Sequence, residues 1–158
     1  MSLTFSTVGV IGAGTMGAGI AQVAAQAGCR VKLFDAREGA AAAANAKTAE
    51  TLNALAGKGK ITAEAAAATI ARLSAAPDLA DFHDCDLIVE AIVENLDAKR
   101  TLFKSLEGIC AASTVLATNT SSISITGRLW RMVMRGGVGA VGAAGGIARA
   151  PQPRPRAV

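Results

Sequence analysis

Aromatic residues are scarce, making up 3% of the 158 residues, and tyrosine is absent. There is one tryptophan, Trp130, and one histidine, His83. The three cysteines, Cys29, Cys85 and Cys110, are too far apart for a metal or redox motif, so we expect no metal site. We interpret them as small buried side chains of a cytoplasmic protein.

Charge is absent before Arg30, and residues 8–28 are mostly apolar. A signal peptide or a membrane span would be the alternative to a soluble domain. A signal peptide begins with a basic segment, however, and none precedes this stretch, which also contains Gln22, Gln26 and six glycines. A buried strand followed by a helix explains it better, and we expect no membrane segment.

Acidic residues are absent from 127–158, which carry six of the sixteen Lys and Arg residues. The net charge of +4 therefore arises in this segment. A basic excess can indicate nucleic-acid binding, but no aromatic residue other than Trp130 lies among these arginines, so we expect none. Because helical and strand periodicity end there, we predict a domain at 1–126 and a poorly ordered Gly/Ala/Arg/Pro tail at 127–158.

Five short apolar runs alternate with helical segments over the first 118 residues. The predicted strands are Thr7–Ile11, Arg30–Phe34, Leu73–Ala76, Asp86–Ala91 and Thr114–Ala117. The predicted helices are Thr15–Ala27, Arg37–Ala56, a short helix capped by Thr62, and Leu96–Cys110. This alternation predicts an α/β fold: a Rossmann-type, doubly wound parallel sheet with a helical pair inserted between strands two and three.

A glycine-rich turn joins the first predicted strand to the first helix. It spells G-x-G-x-x-G and consists of Gly12, Ala13, Gly14, Thr15, Met16 and Gly17. Gly12 would permit the tight turn, Gly14 would let a pyrophosphate approach the backbone, and Gly17 would let the helix pack on the strand. Phosphates would then lie at the amino end of the helix, where free N–H groups favour negative charge.

Asp35 follows the second predicted strand, 23 residues after Gly12. A carboxylate there would accept hydrogen bonds from the adenosine ribose and repel a 2′-phosphate. The pattern therefore favours NAD over NADP, although Arg37 lies close enough to keep NADP open. FAD or another nucleotide is a further alternative ligand. The purely structural alternative is a glycine-rich turn that binds no ligand.

Several segments together resemble the L-3-hydroxyacyl-CoA dehydrogenase family, which includes 3-hydroxybutyryl-CoA dehydrogenases. They are VGVIGAGTMGAGIAQVAAQAG, VKLFDAR, LAGKGKIT, DLIVEAIVENLDAKRTLFKSLE and LATNTSSISIT, and they lie within residues 7–126. The resemblance implies oxidation of the 3-hydroxyl of an acyl-CoA by NAD. It also implies an acyl-CoA partner and a homodimer built through a helical domain that is not found in these 158 residues.

The resemblance also assigns roles to individual residues. Residues 12–17 and Asp35 would bind NAD, and the further implied cofactor contacts are Glu94, Lys99, Asn119 and Ser121. Ser121 would also hydrogen-bond the oxygen of the substrate. Thr51 and Lys58 would help hold coenzyme A.

The catalytic histidine of that family lies in an H-F-F-N-P segment, which this sequence does not contain. His83 precedes strand four and is interpreted as a solvated loop or helix-end residue, not as the base. Relative to the family, we expect an incomplete domain that results from a frameshift or sequencing error near codon 127. Strand five would then form the edge of the sheet. A catalytically silent NAD-binding module is the alternative to an enzyme.

Overall fold

The computed structural model describes residues 5–93 and 95–119, together with the backbone of 140–142 and 147–148. Its strands are β1 (Thr7–Ile11), β2 (Arg30–Phe34), β3 (Leu73–Ala75), β4 (Leu87–Glu90), β5 (Val115–Thr118), β6 (Ala140–Gly142) and β7 (Ile147–Ala148). Its helices are α1 (Thr15–Gln26), α2 (Ala40–Gly57), α3 (Ala63–Ala71) and α4 (Leu96–Ile109), and a 3-10 helix spans Leu79–Asp84.

The strands form one sheet in the order β3-β2-β1-β4-β5-β6-β7, and all pairings are parallel except that of β6 with β7. β1 lies inside the sheet between β2 and β4, and its five residues are all buried, as is typical of a strand covered on both faces. The chain passes outward from β1 to β2 and β3, then crosses over to β4 and β5. The predicted doubly wound α/β fold is confirmed by this order.

Two apolar clusters cover opposite faces of the sheet. Because side chains alternate along a strand, Val8 and Val10 pack toward α1, whereas Ile11 packs with Phe82 and with the apolar side of α4. The ring of Phe82 lies directly over Gly9, where a Cβ atom would collide with it. A residue without a side chain in β1 therefore lets the 3-10 helix approach the sheet.

The predicted helical pair between strands two and three is α2 and α3. Thr62 caps α3 as expected, since its side chain accepts a hydrogen bond from the Ala65 N–H at 3.1 Å. α2 begins at Ala40 and not at Arg37. The Arg37 N–H is donated to the Asp35 side chain, and Gly39 has a φ of 74°, so the helix starts only after this turn.

The expectation that β5 would form the edge of the sheet is wrong. β6 pairs in parallel with β5, from Leu116 opposite Ala140 to Thr118 opposite Gly142. The edge of β5 offers unpaired backbone N–H and C=O groups, which a neighbouring segment can satisfy whatever its side-chain pattern. The remaining positions of 127–158 lie outside the described residues, so the predicted disorder of that tail stays a prediction.

Candidate functional site

The candidate site lies where the carboxyl ends of β1, β2 and β4 meet. β1 separates the part of the sheet that winds toward β3 from the part that winds toward β5, which makes this edge a topological switch point. Backbone hydrogen bonds hold the three tips together: the Gly12 N–H donates to the Phe34 carbonyl and the Ala91 N–H to the Ile11 carbonyl, both at 2.8 Å. Such crevices are where open α/β sheets bind ligands.

Two glycines of the turn are required by the packing around them. Gly12 has a φ of 106°, and a Cβ atom there would lie 2.5 Å from the Ala91 carbonyl oxygen. A Cβ atom on Gly17 would overlap the Gly12 carbonyl oxygen. Both glycines therefore allow the start of α1 to pack against the tips of β1 and β4.

Gly14 differs from these two glycines because its surroundings are open. A Cβ atom there would meet nothing within 4 Å, and its φ of −70° is one that any residue adopts. Gly14 is the N-cap of α1, where the first N–H groups have no acceptor within the helix, and no described side chain caps them. The missing side chain leaves an open approach to these donors, which suits an anion.

The structure brings Asp35 against the glycine turn. Its Oδ2 accepts a hydrogen bond from the Ala13 N–H at 2.8 Å, and its Oδ1 accepts one from the Arg37 N–H at 2.9 Å. The Arg37 guanidinium also binds both carboxylate oxygens at 3.0 Å. This hydrogen bonding to Arg37 holds the pKa of the Asp35 carboxyl well below its usual value.

We expect Asp35 to make stability depend on acidic pH. Because folding lowers its pKa from 3.8, the ionised carboxylate stabilises the fold fully above that value, and this stabilisation is lost as pH falls below it. In urea denaturation, the advantage of the wild type over Asp35→Asn should be constant above about pH 5 and shrink below about pH 4. An advantage that grows on acidification would contradict this assignment.

A second polar group lies behind the tip of β4, and of its members the sequence analysis named only Lys99, as a cofactor contact. The Glu90 side chain is 0% exposed, and its Oε2 lies 3.1 Å from the Nζ of Lys99, which is also 0% exposed. Oε2 accepts a hydrogen bond from the Thr118 hydroxyl at 2.6 Å, and Oε1 accepts one from the Ile92 N–H at 2.7 Å. A carboxylate inside the apolar run LIVEA was the available signal, because such a residue needs partners when the strand is buried.

Four of the other predicted cofactor residues are described: Thr15, Met16, Lys99 and Asn119. The predicted cofactor contact of Lys99 is not supported, because its side chain is 0% exposed and ion-paired with Glu90. Thr15 is exposed in the first turn of α1. Met16 is 58% exposed at the start of α1. Asn119 is half-buried and follows β5, where its N–H donates to the Glu90 carbonyl at 2.8 Å. Glu94 and Ser121 lie outside the described residues, so their predicted roles stay predictions.

The two residues predicted to hold coenzyme A are both exposed: Thr51 lies on α2, and Lys58 is the C-cap residue that follows it. Thr51 lines a cleft of about 600 Å³ between α1 and α2, which Gly14, Thr15 and Arg37 also line. Lys58 lies at the carboxyl end of α2 and does not line this cleft. Thr51 therefore lines the same cleft as the glycine turn, whereas Lys58 does not.

His83 is exposed in the 3-10 helix, and its Nδ1 lies 2.9 Å from the Ala80 carbonyl oxygen. It precedes β4, whereas the glycine turn and Asp35 follow strands, so it lies toward the opposite edge of the sheet.

The cysteine thiols are free, and burial raises the pKa of Cys85 to about 12. In the described ranges we find no group of acidic, histidine or cysteine side chains that could hold a metal, and no helix able to cross a membrane.

Comparison with known proteins adds sequence and fold relationships to this geometry. The family model described as "3-hydroxyacyl-CoA dehydrogenase, NAD binding domain" matches residues 7–134. The 3-hydroxyadipyl-CoA dehydrogenase of Escherichia coli K12 is 44% identical over 126 residues, which are 80% of this chain and 26% of that protein.

Solved structures share the fold. A crystal structure of 3-hydroxybutyryl-CoA dehydrogenase from Escherichia coli K12 matches with a TM-score of 0.78 at 40% identity, covering 87% of this chain and 29% of that one. The (S)-3-hydroxybutyryl-CoA dehydrogenase of Ralstonia eutropha matches with a TM-score of 0.78 at 36% identity, over 87% and 48%. The chain thus spans between about a quarter and a half of the length of these proteins.

Proposed function

Because the chain belongs to the family of 3-hydroxyacyl-CoA dehydrogenase NAD-binding domains, we propose that it holds NAD across the carboxyl edge of its sheet. The adenosine ribose would lie on Asp35 and the pyrophosphate on the glycine turn. The proposed cofactor contacts are Gly12, Ala13, Gly14, Thr15, Met16, Gly17, Asp35, Glu94, Asn119 and Ser121.

The single observation that carries this proposal is the contact between Asp35 and the Ala13 N–H at 2.8 Å. It places a carboxylate at the tip of β2 beside an amide of the turn that follows β1, so that the ribose and the pyrophosphate of one dinucleotide can reach both. The open space at Gly14 supports the fit, because a pyrophosphate needs the volume that a side chain would fill. A cleft of about 400 Å³ beside Asp35 and the end of β3 leaves room for the adenosine end.

Preference for NAD over NADP follows from the same carboxylate. A 2′-phosphate on the ribose would face Asp35, whose low pKa keeps it negatively charged. The Arg37 side chain is 73% exposed and already forms an ion pair with Asp35, so the carboxylate offsets the positive charge that could otherwise attract a 2′-phosphate. The repulsion therefore disfavours NADP.

The reaction we propose for the whole enzyme is oxidation of the 3-hydroxyl of an L-3-hydroxyacyl-CoA, with bound NAD accepting the hydride. In this chain, Ser121 would hydrogen-bond the oxygen of the substrate, and Thr51 and Lys58 would hold coenzyme A. The exposure of Thr51 along the cleft beside the turn supports the first of these two coenzyme A contacts. Lys58 would attract the negatively charged phosphates of coenzyme A.

We do not assign the proton-accepting base to His83, the single histidine of the sequence. Its position before β4 keeps it from the edge where NAD would lie. We therefore propose that these 158 residues alone bind NAD without turning over substrate, as a silent module would. The three free thiols support the further proposal that the protein works in the cytoplasm.

The proposal is tested by titrating the folded chain with NADH and by assaying NADH oxidation with acetoacetyl-CoA. We expect saturable NADH binding, tighter than NADPH binding, and no oxidation. Failure of NADH to bind would overturn the cofactor assignment. Turnover by this chain would instead show that the base is present, and so overturn only the assignment of a silent module.

Gly14→Ala should separate cofactor binding from folding. The new methyl group would enter the open space where the pyrophosphate is proposed to lie, so we expect the Kd for NADH to rise at least about tenfold. Since nothing lies within 4 Å and the backbone conformation suits alanine, the thermal midpoint should stay within about 2 °C. Unchanged NADH affinity in this variant would place the pyrophosphate elsewhere.

A further inference from the structure

We propose that Glu90 is a positioning residue for the nicotinamide half of the cofactor site, an inference that rests on the proposed NAD binding. Its buried carboxylate joins the segment that follows β4, the end of β5 and the first turns of α4. Glu90 itself would not touch the cofactor, since its side chain is 0% exposed.

The carboxylate contacts three elements at once. Its Oε1 holds the Ile92 N–H at 2.7 Å, and so fixes the chain as it leaves β4. Its Oε2 holds the Thr118 hydroxyl at 2.6 Å and the Lys99 ammonium at 3.1 Å. Removing any one of these contacts would let the tip of β4 shift relative to β5 or α4.

The segment fixed by Glu90 borders the cofactor site on the side away from Asp35. In register, Glu90 lies between Ile11 of β1 and Thr118 of β5. The next residue, Ala91, packs its carbonyl against Gly12 of the turn. With adenosine held at the tip of β2 and pyrophosphate at the tip of β1, the nicotinamide half must extend over the tips of β4 and β5.

An ionic group at this place is not needed for packing. Ile88, two residues earlier on the same face, is apolar and 1% exposed, and it serves the core without any desolvation cost. Replacing a buried ion pair by apolar residues is often neutral or stabilising, so a buried pair is weak support for stability. What the carboxylate does provide is a fixed direction for the backbone at Ile92 and for the end of β5.

Thr118→Val tests the inference, with Thr114→Val as the matched control. Thr118 ends β5 and Thr114 immediately precedes it; both are buried, but the Thr114 hydroxyl donates to the Cys85 carbonyl at the far edge of the sheet. Binding of NADH is compared with that of ADP-ribose, which has the adenosine and pyrophosphate but no nicotinamide. Circular dichroism and thermal denaturation check that each variant folds.

We expect Thr118→Val to raise the Kd for NADH roughly five- to tenfold, as loss of a hydrogen bond to a carboxylate would. Its Kd for ADP-ribose should stay within about twofold, and Thr114→Val should change neither. Thr118→Ser, which keeps the hydroxyl, should restore NADH binding.

Three results would overturn the inference while leaving NAD binding intact. One is an unchanged NADH affinity in Thr118→Val, another is an equal loss of NADH and ADP-ribose, and the third is an equal loss in Thr114→Val. If the wild type binds neither ligand, the proposed function fails, and this inference fails with it.

Discussion

Gly17→Ala is expected to abolish measurable NADH binding and to lower the free energy of unfolding by about 3 kcal/mol. The new Cβ atom would overlap the Gly12 carbonyl oxygen, which belongs to the backbone of the turn and has no rotamer to change. The amino end of α1 would have to move away from β1, carrying with it the N–H groups that we propose bind the pyrophosphate. Urea denaturation and an NADH titration measure the two effects.

Gly19→Ala is the matched control for this substitution. Gly19 lies two residues further along α1, and a Cβ atom there would meet nothing within 4 Å. Alanine is the better helix former, so this variant should be more stable by roughly 0.5–1 kcal/mol and should bind NADH like the wild type. Similar behaviour of the two variants would show that the close approach at Gly17 is not what the fold depends on.

Lys99→Met is expected to lower the free energy of unfolding by roughly 3–5 kcal/mol. It removes the ammonium 3.1 Å from Glu90 and leaves that carboxylate 0% exposed, with only the hydrogen bonds from Thr118 and Ile92. Keeping a buried carboxylate without its countercharge costs far more than the pair contributes when intact. Urea denaturation at neutral pH gives the difference directly.

The adjacent residue supplies the control for the buried pair. Arg100 makes a 3.4 Å ion pair with Asp97, whose side chain is 91% exposed. Exposed pairs of this kind contribute little, so Arg100→Met should cost under about 1 kcal/mol. Equal losses in Lys99→Met and Arg100→Met would contradict the assignment of a buried pair.

The double variant Glu90→Leu with Lys99→Met should recover most of the stability lost in Lys99→Met but not the NADH affinity.

Local patterns were sufficient to predict most of the elements. β1 and β2 have the predicted bounds, because short apolar runs between glycine and polar residues are distinct in any context. α1 ends within one residue of its predicted bound, and Gly28, with a φ of 101°, follows the cap residue Ala27. The resemblance to 3-hydroxyacyl-CoA dehydrogenases, carried by motifs of the same local kind, is confirmed by the family model.

Contacts between distant parts of the chain were not predictable in the same way. The 3-10 helix was missed because its only buried residue, Phe82, is buried through packing over Gly9, which lies 73 positions earlier. β6 was missed because its pairing depends on the open edge of β5 and not on its own alanine- and glycine-rich sequence. In both cases the deciding partner is far away along the chain.

By itself, the sequence determined the α/β class, the parallel winding, the family and the identity of the glycine turn. The class, the winding and the turn follow from periodicity and from residue types at fixed short spacings, and the family follows from the resemblance of several short segments to a known one. Only the tertiary structure decided that Asp35 accepts hydrogen bonds from Ala13 and Arg37, and that Glu90 joins Lys99 to Thr118. The physical reason is that a buried charge is tolerable only beside specific partners, and the folding of separate strands and helices is what brings those partners together.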